Sequence, residues 1–533
     1  MKNLLGLFLC FIATTTLFAQ PQPTVKIAND DKVSPVPYAK SITAKDLRNH
    51  LTILASDEFE GRETGTPGQE KAARYIEEYF KFLGLPAIVD GGYQQKIAFT
   101  AESWNRFDLN INGQDYKNLV DFYAFPSANS EMEINTEEIL FLGYGIDTIQ
   151  YSDYADVDVK GKVLLIYAGE PTDKKDISHL TGTTELSSWS SDWRKKVRTA
   201  KQKGAKAVLI IDPNIKENIA ENRRFLVSPR MTMGEGENPE ENYANSVFIS
   251  STVAKELVGG KYKKFIKKRD KIKKKGKAYQ IELPVNLQVT QQKSIRQLIG
   301  SNVLGFIEGS DPELKDEIVI VSAHYDHLGR RGQSIYNGAD DNGSGTSTVL
   351  EVAEGFAQAK KAGNGPRRSV VTMLVSGEEK GLLGSQYYVN HPTFPLENTV
   401  ADVNVDMVGR VDKEHEDNPN YIYVIGSDRL SSELHEINET ANSTYTNLEL
   451  DYKYNAEDDP NRYYYRSDHY NFAERGIPSI FYFNGTHADY HRTSDTVEKI
   501  NFEKMEKIGQ LVFHTVWELA NRDKRIEVDV KND

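Results

Sequence analysis

Glu317-Ile318-Val319-Ile320-Val321-Ser322-Ala323-His324-Tyr325-Asp326-His327 runs from a short, β-branched apolar stretch straight into a cluster of imidazole and carboxylate groups. The apolar part is too short for a typical helix and reads as a buried strand with His324 at its carboxyl end. The pattern recurs three times. Arg368 to Ser376 stops just before Glu378-Glu379, Thr399 to Val405 precedes Asp406, and Pro478 to Phe483 leads into the loop that carries His491. Helical segments lie between: Ser344 to Ala359 after the Gly-rich turn Gly338-Ala339-Asp340-Asp341-Asn342-Gly343, then Gly381 to Val389, then Ser467 to Arg475. Strands alternating with helices imply right-handed crossovers, hence an α/β fold with a mixed, largely parallel sheet flanked by helices. Such sheets bind ligands in the crevice outside the carboxyl ends of their strands. The acid and histidine signals fall there.

The residue types point to a metal. His324, Asp341, Glu379, Asp406 and His491 combine imidazole nitrogen with carboxylate oxygen, which suits zinc, whereas magnesium or calcium favours an all-oxygen shell. The set supplies an imidazole and a carboxylate for each of two ions, a carboxylate to bridge them, and a spare carboxylate for proton transfer. That is the inventory of a hydrolase.

These motifs together resemble the M28 family of zinc metallopeptidases, whose members carry cocatalytic zinc. The resemblance implies a zinc-peptidase or phosphorylase/hydrolase-like fold and two Zn2+ per chain. By motif, His324 and Asp406 are expected on one ion, Glu379 and His491 on the other, with Asp341 bridging and Glu378 as general base. The family's cis peptide after the bridging Asp is expected at Asp341–Asn342.

The chemistry of the residues agrees with that implication. Two ions about 3.5–4 Å apart share and acidify a water and polarise a carbonyl. Glu378 cannot easily ligate the ion its neighbour holds, so it is free to take the water's proton and deliver it to the leaving amine. Asp326 suits a carboxylate that orients the His324 imidazole, and Asp495 suggests a similar task near His491. For Tyr490 two readings stand open: a hydrogen-bond donor to the developing oxyanion, or an aromatic packed beside the site.

The 533-residue chain exceeds the usual size of a single core. Met1-Lys2-Asn3, the apolar Leu4 to Ala13 and the end near Phe18-Ala19-Gln20 read as a secretory signal over residues 1–19, with export to the periplasm or medium. No other segment is long and apolar enough for a transmembrane helix. Cys10, the one cysteine, lies within that signal. A lipoprotein cleavage site needs a small residue before it, where Leu9 stands. The mature chain then has no thiol, which excludes disulfides, Cys-ligated zinc and thiol peptidases.

Ser41-Ile42-Thr43-Ala44-Lys45-Asp46 is a capping box before a helix, and Thr66-Pro67-Gly68-Gln69 repeats it before a segment ending at Leu83-Gly84. Glu60 to Thr66 resembles the Gly-Arg loop that opens the family's catalytic domain. The expected organisation is residues 40–104 and 291–523 for the catalytic domain, 105–290 for an insert, and 524–533 for a polar tail. The insert, with short β runs and one helix across Glu138 to Gly145, Gly161 to Ile166 and Ala200 to Ile211, resembles the mainly-β protease-associated (PA) domain. It reads as a lid or as a spacer. Lys261 to Lys275 is the one basic run in a chain of net charge −13. A solvated helix face fits it better than a nucleic-acid site, and nucleic acid is not expected as a partner.

The leading expectation is an exported aminopeptidase acting on peptides. A glutaminyl-cyclase-like acyltransferase, a carboxypeptidase of the glutamate carboxypeptidase type, and a non-catalytic binding protein are the alternatives. The residues leave substrate preference open, including whether Tyr463-Tyr464-Tyr465 lines a pocket or only packs.

Overall fold

The computed structural model describes residues 33–234 and 242–530, so the expected signal segment lies outside the described residues. Strand Ile318–His324 is wholly buried and pairs in parallel with Ser369–Val375 on one side and with Thr399–Val405 on the other. Thr399–Val405 in turn pairs in parallel with Ser479–Phe483. These four strands are the ones expected, and their complete burial follows from being covered on both faces. Tyr421–Ile425 adds an antiparallel neighbour to Ser479–Phe483 that the sequence reading did not identify.

Helices Gly345–Lys361 and Phe502–Asn521 cover one face of the sheet, packing Val349, Phe356, Phe513 and Val516 into the main core. Helix Ala44–Leu54 joins them through Leu47 and Leu51. Its cap is the predicted one: the Thr43 hydroxyl accepts from the Asp46 N–H at 3.2 Å and donates to the Asp46 carboxylate at 2.7 Å. In the second helix, Pro67–Phe82, Thr66 makes no side-chain cap, and Gln69 instead accepts from Gly65 N–H. The opposite face carries Tyr388, Val389 and Phe472 from helices Leu383–Asn390 and His469–Ala473.

The sheet does not end with the catalytic unit. Gln280–Ile307 is a 28-residue strand that pairs antiparallel with Ser369–Val375 at one end and with Met132–Leu142 at the other. Along its length it also pairs with Gln94–Ile111, with an irregularity between Trp104 and Arg106. This two-stranded ribbon carries the sheet into the insert, where Val163–Tyr167, Ala207–Asp212 and Asn245–Ser250 continue in parallel. The insert has its own cores on both faces of these strands. It is richer in helix than the single one expected: Trp193–Gln202, Ile215–Glu221, Ser251–Val258 and Tyr262–Lys275. The last is the basic run, and it buries Phe265 and Ile272 while its lysines face outward.

One piece of the insert returns to the catalytic unit. Arg230–Met233 pairs with Phe99 to Glu102, and Met231 packs with Ile97, Phe99 and Leu383. No helix among the described residues is long and apolar enough to cross a membrane.

Candidate metal centre

Four of the five expected ligands sit at or after the carboxyl end of a strand. His324 closes Ile318–His324, Glu378 and Glu379 open the turn after Ser369–Val375, Asp406 follows Thr399–Val405, and His491 lies in the loop after Ser479–Phe483. Asp341 comes from the loop before helix Gly345–Lys361, and the Asp341–Asn342 peptide is cis.

The side chains converge on two clusters. In one, His324 Nε2 lies 3.3 Å from Asp406 Oδ1 and 3.4 Å from Asp341 Oδ1, with Glu378 Oε2 at 3.9 Å. In the other, His491 Nε2 lies 3.0 Å from Asp341 Oδ2 and 3.2 Å from Glu379 Oε1. The two oxygens of Asp341 therefore face different clusters. All five residues are buried or largely so.

The electrostatics show what such packing requires. Burial pushes the Glu378 carboxyl well up, helped by Glu379 and Asp406 and opposed by the His324 charge. Burial acts in the same direction on Glu379, but the imidazoles of His327 and His491 outweigh it and hold that carboxyl well below its usual range. Burial would lower His491, yet its hydrogen bonds to Asp341 and Glu379 raise it to about 10. Four carboxylates and several imidazoles gathered out of water are a costly arrangement without countercharge. Bound metal cations would supply it, and the mixed N/O donor set fits zinc.

Supporting contacts fix the ligands. His324 Nδ1 donates to the Asp326 carbonyl at 3.1 Å, closer than the 3.8 Å to the Asp326 carboxylate. The carboxylate instead accepts from the Thr64 hydroxyl at 2.7 Å and the Glu378 N–H at 3.2 Å, so it ties the Glu pair to the His324 loop. Asp495 does not approach His491; its carboxylate accepts the backbone N–H groups of Asp340 and Asp341. Asn342 accepts from Gly345 and Met407 N–H and donates to the Val405 carbonyl, locking the Asp341 loop to the Asp406 strand. The Ser467 hydroxyl donates to Asp406 Oδ2 at 2.8 Å. Tyr490 stacks on the His491 ring, centroids 3.9 Å apart, and lines the open cavity beside Glu378.

Two residues escaped the sequence reading. His327 is fully buried with Nδ1 3.0 Å from Glu379 Oε1, giving that cluster a second imidazole. Its ring presses on Gly338, φ +54°, where an added Cβ would lie 2.4 Å from the His327 Cδ2. Arg62, also buried, donates to four carbonyls, those of Leu54, Tyr325, Asn337 and Gly338, at 2.6–2.9 Å. The Gly-Arg motif pointed to Arg62, but nothing in its spacing disclosed the partners.

Residues 302–516 match the family model described as peptidase family M28. That stretch is a peptidase family M28 domain. Residues 140–257 match the PA domain, so this M28 chain carries a PA domain set into its sequence. It is 26% identical over 534 residues to aminopeptidase YwaD of Bacillus subtilis (strain 168), covering 98% of this chain and 96% of that protein. It is also 31% identical over 217 residues to a probable leucine aminopeptidase of Trichophyton verrucosum (strain HKI 0517), covering 39% of this chain and 56% of that relative. Among solved structures, an aminopeptidase from Aneurinibacillus sp. strain AM-1 shares the fold, with a TM-score of 0.56 at 20% identity over 94% of this chain and 99% of that one. The M28 chain is thus an enzyme of the metallo-aminopeptidase class.

Proposed function

We propose that this M28 chain is an exported, zinc-dependent aminopeptidase that releases N-terminal residues from peptides through a two-metal centre with a Glu general base. The observation that carries the two-metal reading is the split of Asp341, with Oδ1 toward His324 and Asp406 and Oδ2 toward His491 and Glu379. In this reading His324 and Asp406 would hold one ion and Glu379 and His491 the other, with Asp341 placed to serve both.

When bound, the zinc pair supplies Lewis-acid polarisation of the scissile carbonyl and acidification of a water. Glu378 takes that water's proton and passes it to the leaving amine. Burial and the neighbouring carboxylates raise Glu378 in the direction such a base needs. Tyr490, facing the cavity, donates its hydroxyl to the carbonyl oxygen as charge builds there. Asp326 keeps Glu378 and His324 in register through the contacts above. Export rests on the apolar segment Leu4 to Ala13 behind Lys2.

The deciding experiment incubates zinc-loaded protein with amino-acyl, N-blocked and N-terminal Gln peptides and weighs the products. Loss of one N-terminal residue is expected. Loss of a C-terminal residue would instead assign a carboxypeptidase, and loss of ammonia without cleavage a cyclase.

A further inference from the structure

The cavity in front of the metal centre has an apolar floor of Met407, Tyr463, Phe481 and Phe483. Into the same cavity projects one guanidinium, that of Arg466. It lies over the Tyr463 ring, 4.8 Å from the centroid, and is exposed to solvent. Its backbone is well placed: Arg466 N–H donates to Tyr463 O at 3.0 Å, and the next residue, Ser467, is bonded to Asp406.

Other arginines nearby are engaged elsewhere. Arg410 pairs with Asp489 at 2.9 Å, and Arg429 donates to the Asn455 carbonyl. Among the described residues, none forms an ion pair or side-chain hydrogen bond with Arg466. The carboxyl and imidazole groups that share its cavity, Asp341, Glu378, Asp406 and His491, belong to the metal centre, and the phenols of Tyr463 and Tyr490 complete its titratable lining. Two dications bring four positive charges against the four negative ones of Asp341, Glu378, Glu379 and Asp406. The loaded centre is then near neutral, and Arg466 leaves the cavity with one positive charge that no protein group answers.

We propose that Arg466 is a specificity-determining residue that receives a substrate carboxylate. A guanidinium offers a planar fork that matches a carboxylate with two parallel hydrogen bonds, and a ring face on one side holds that plane. Two sources present such a group near a scissile bond held at the metals. One is an Asp or Glu side chain on the residue being released, and the other is the terminal carboxylate of a dipeptide. The inference rests on the function proposed above, since it places the substrate at the metal centre.

The test uses the full zinc-loaded chain, wild type and Arg466→Met, with three substrates. Leu-Ala-Ala-amide carries no carboxylate, Glu-Ala-Ala-amide carries one on the first side chain, and Leu-Ala carries one at its C-terminus. A hydrogen-bonded charge pair contributes about 1.5–3 kcal/mol, so Arg466→Met is expected to lower kcat/KM by about 10–100-fold on a carboxylate substrate. The Leu amide should stay within about threefold, since a charge-assisted contact is not lost there. A loss confined to the Glu peptide assigns the acidic side chain, and one confined to Leu-Ala assigns the terminal carboxylate. Arg466→Lys should recover part of the loss, because it restores charge without the fork. Equal loss on all three substrates, or no loss on any, overturns the proposal. If wild type cleaves none of them, the aminopeptidase reading fails, and calorimetric binding of the same peptides decides Arg466 separately: carboxylate-dependent binding lost in Arg466→Met supports it, and equal binding overturns it.

Discussion

Replacing Glu378 by Gln removes the proposed base while leaving its surroundings almost unchanged. The Glu378 side chain is 13% exposed, and its oxygen stands 3.9 Å from His324 Nε2, farther than Asp406 or Asp341. Its position in the turn is set by the backbone, through the N–H bond to Asp326, which an amide side chain leaves intact. Gln has nearly the same shape, so the fold and both ions should remain. What is lost is a group that accepts a proton, and loss of a general base costs about 10²–10⁴-fold in turnover. At about 1.36 kcal/mol per decade, that is roughly 3–5 kcal/mol of transition-state stabilisation. The assay pairs zinc content and thermal melting with kcat on a leucyl chromogenic amide, across pH. The variant should hold two zincs, melt like wild type, and lose the acid limb of the pH–rate profile along with most of the rate. Two bound zincs with kcat within threefold of wild type would falsify the assignment.

Asp341→Ala should cost more zinc per chain than Ala at His324, Glu379, Asp406 or His491, because it alone faces both clusters; metal analysis showing two zincs in that variant rejects the bridging role. His327→Ala should weaken binding of the Glu379 ion by about 10–100-fold, as loss of a supporting group around a metal ligand does, while the other ion stays; competition with a graded chelator reads the two affinities. In metal-free protein His491 is raised to about 10 by Asp341 and Glu379, so its contribution to stability is full below its unfolded pKa, near 6.5, and falls as pH rises toward 10. The melting temperature of chelated protein should therefore drop between pH 6.5 and 10 more than that of zinc-loaded protein, and parallel curves count against a proton standing in for the metal. Replacing residues 105–290 by a Gly/Ser linker should retain zinc and small-substrate activity and change activity on longer peptides, at a cost in stability from baring Ile97 and Phe99; loss of small-substrate activity with zinc bound assigns the insert a part of the active site.

The parallel strands were legible because each is a short, continuous, β-branched run that a doubly covered sheet demands. The convergence of the candidate residues was legible because strand ends are where such a sheet presents chemistry. His327 was in plain view in the same stretch, yet a histidine three residues past a strand end has no periodicity to reveal its direction. It meets Glu379 because the loop turns beneath Arg62, which holds the carbonyls of Tyr325, Asn337 and Gly338 together. The Asp326 carboxylate was expected to orient His324, but the main-chain carbonyl of Asp326 makes the closer contact, a distinction that side-chain type alone cannot convey. The Gln280–Ile307 strand was harder still. Its partner Gln94–Ile111 lies far away in sequence, so the proposed domain limits at 104/105 and 290/291 were drawn across a ribbon that local pattern does not show.

The loop from Asn337 to Ser344 explains why the centre depends on the whole fold. Asp341 owes its position to Arg62 below, to the Asp495 carboxylate on its N–H, and to Asn342 bonded to the strand that ends at Asp406. Those three come from the start, the end and the middle of the catalytic sequence, so the bridge forms only when distant segments have met. None of the three is a proposed ligand, yet removing any of them frees the one residue that faces both clusters. On the two-metal reading proposed above, metal binding and folding are expected to be coupled. The buried carboxylates repel one another without countercharge, and an oxygen of Asp341 faces each cluster only where these distant segments have met.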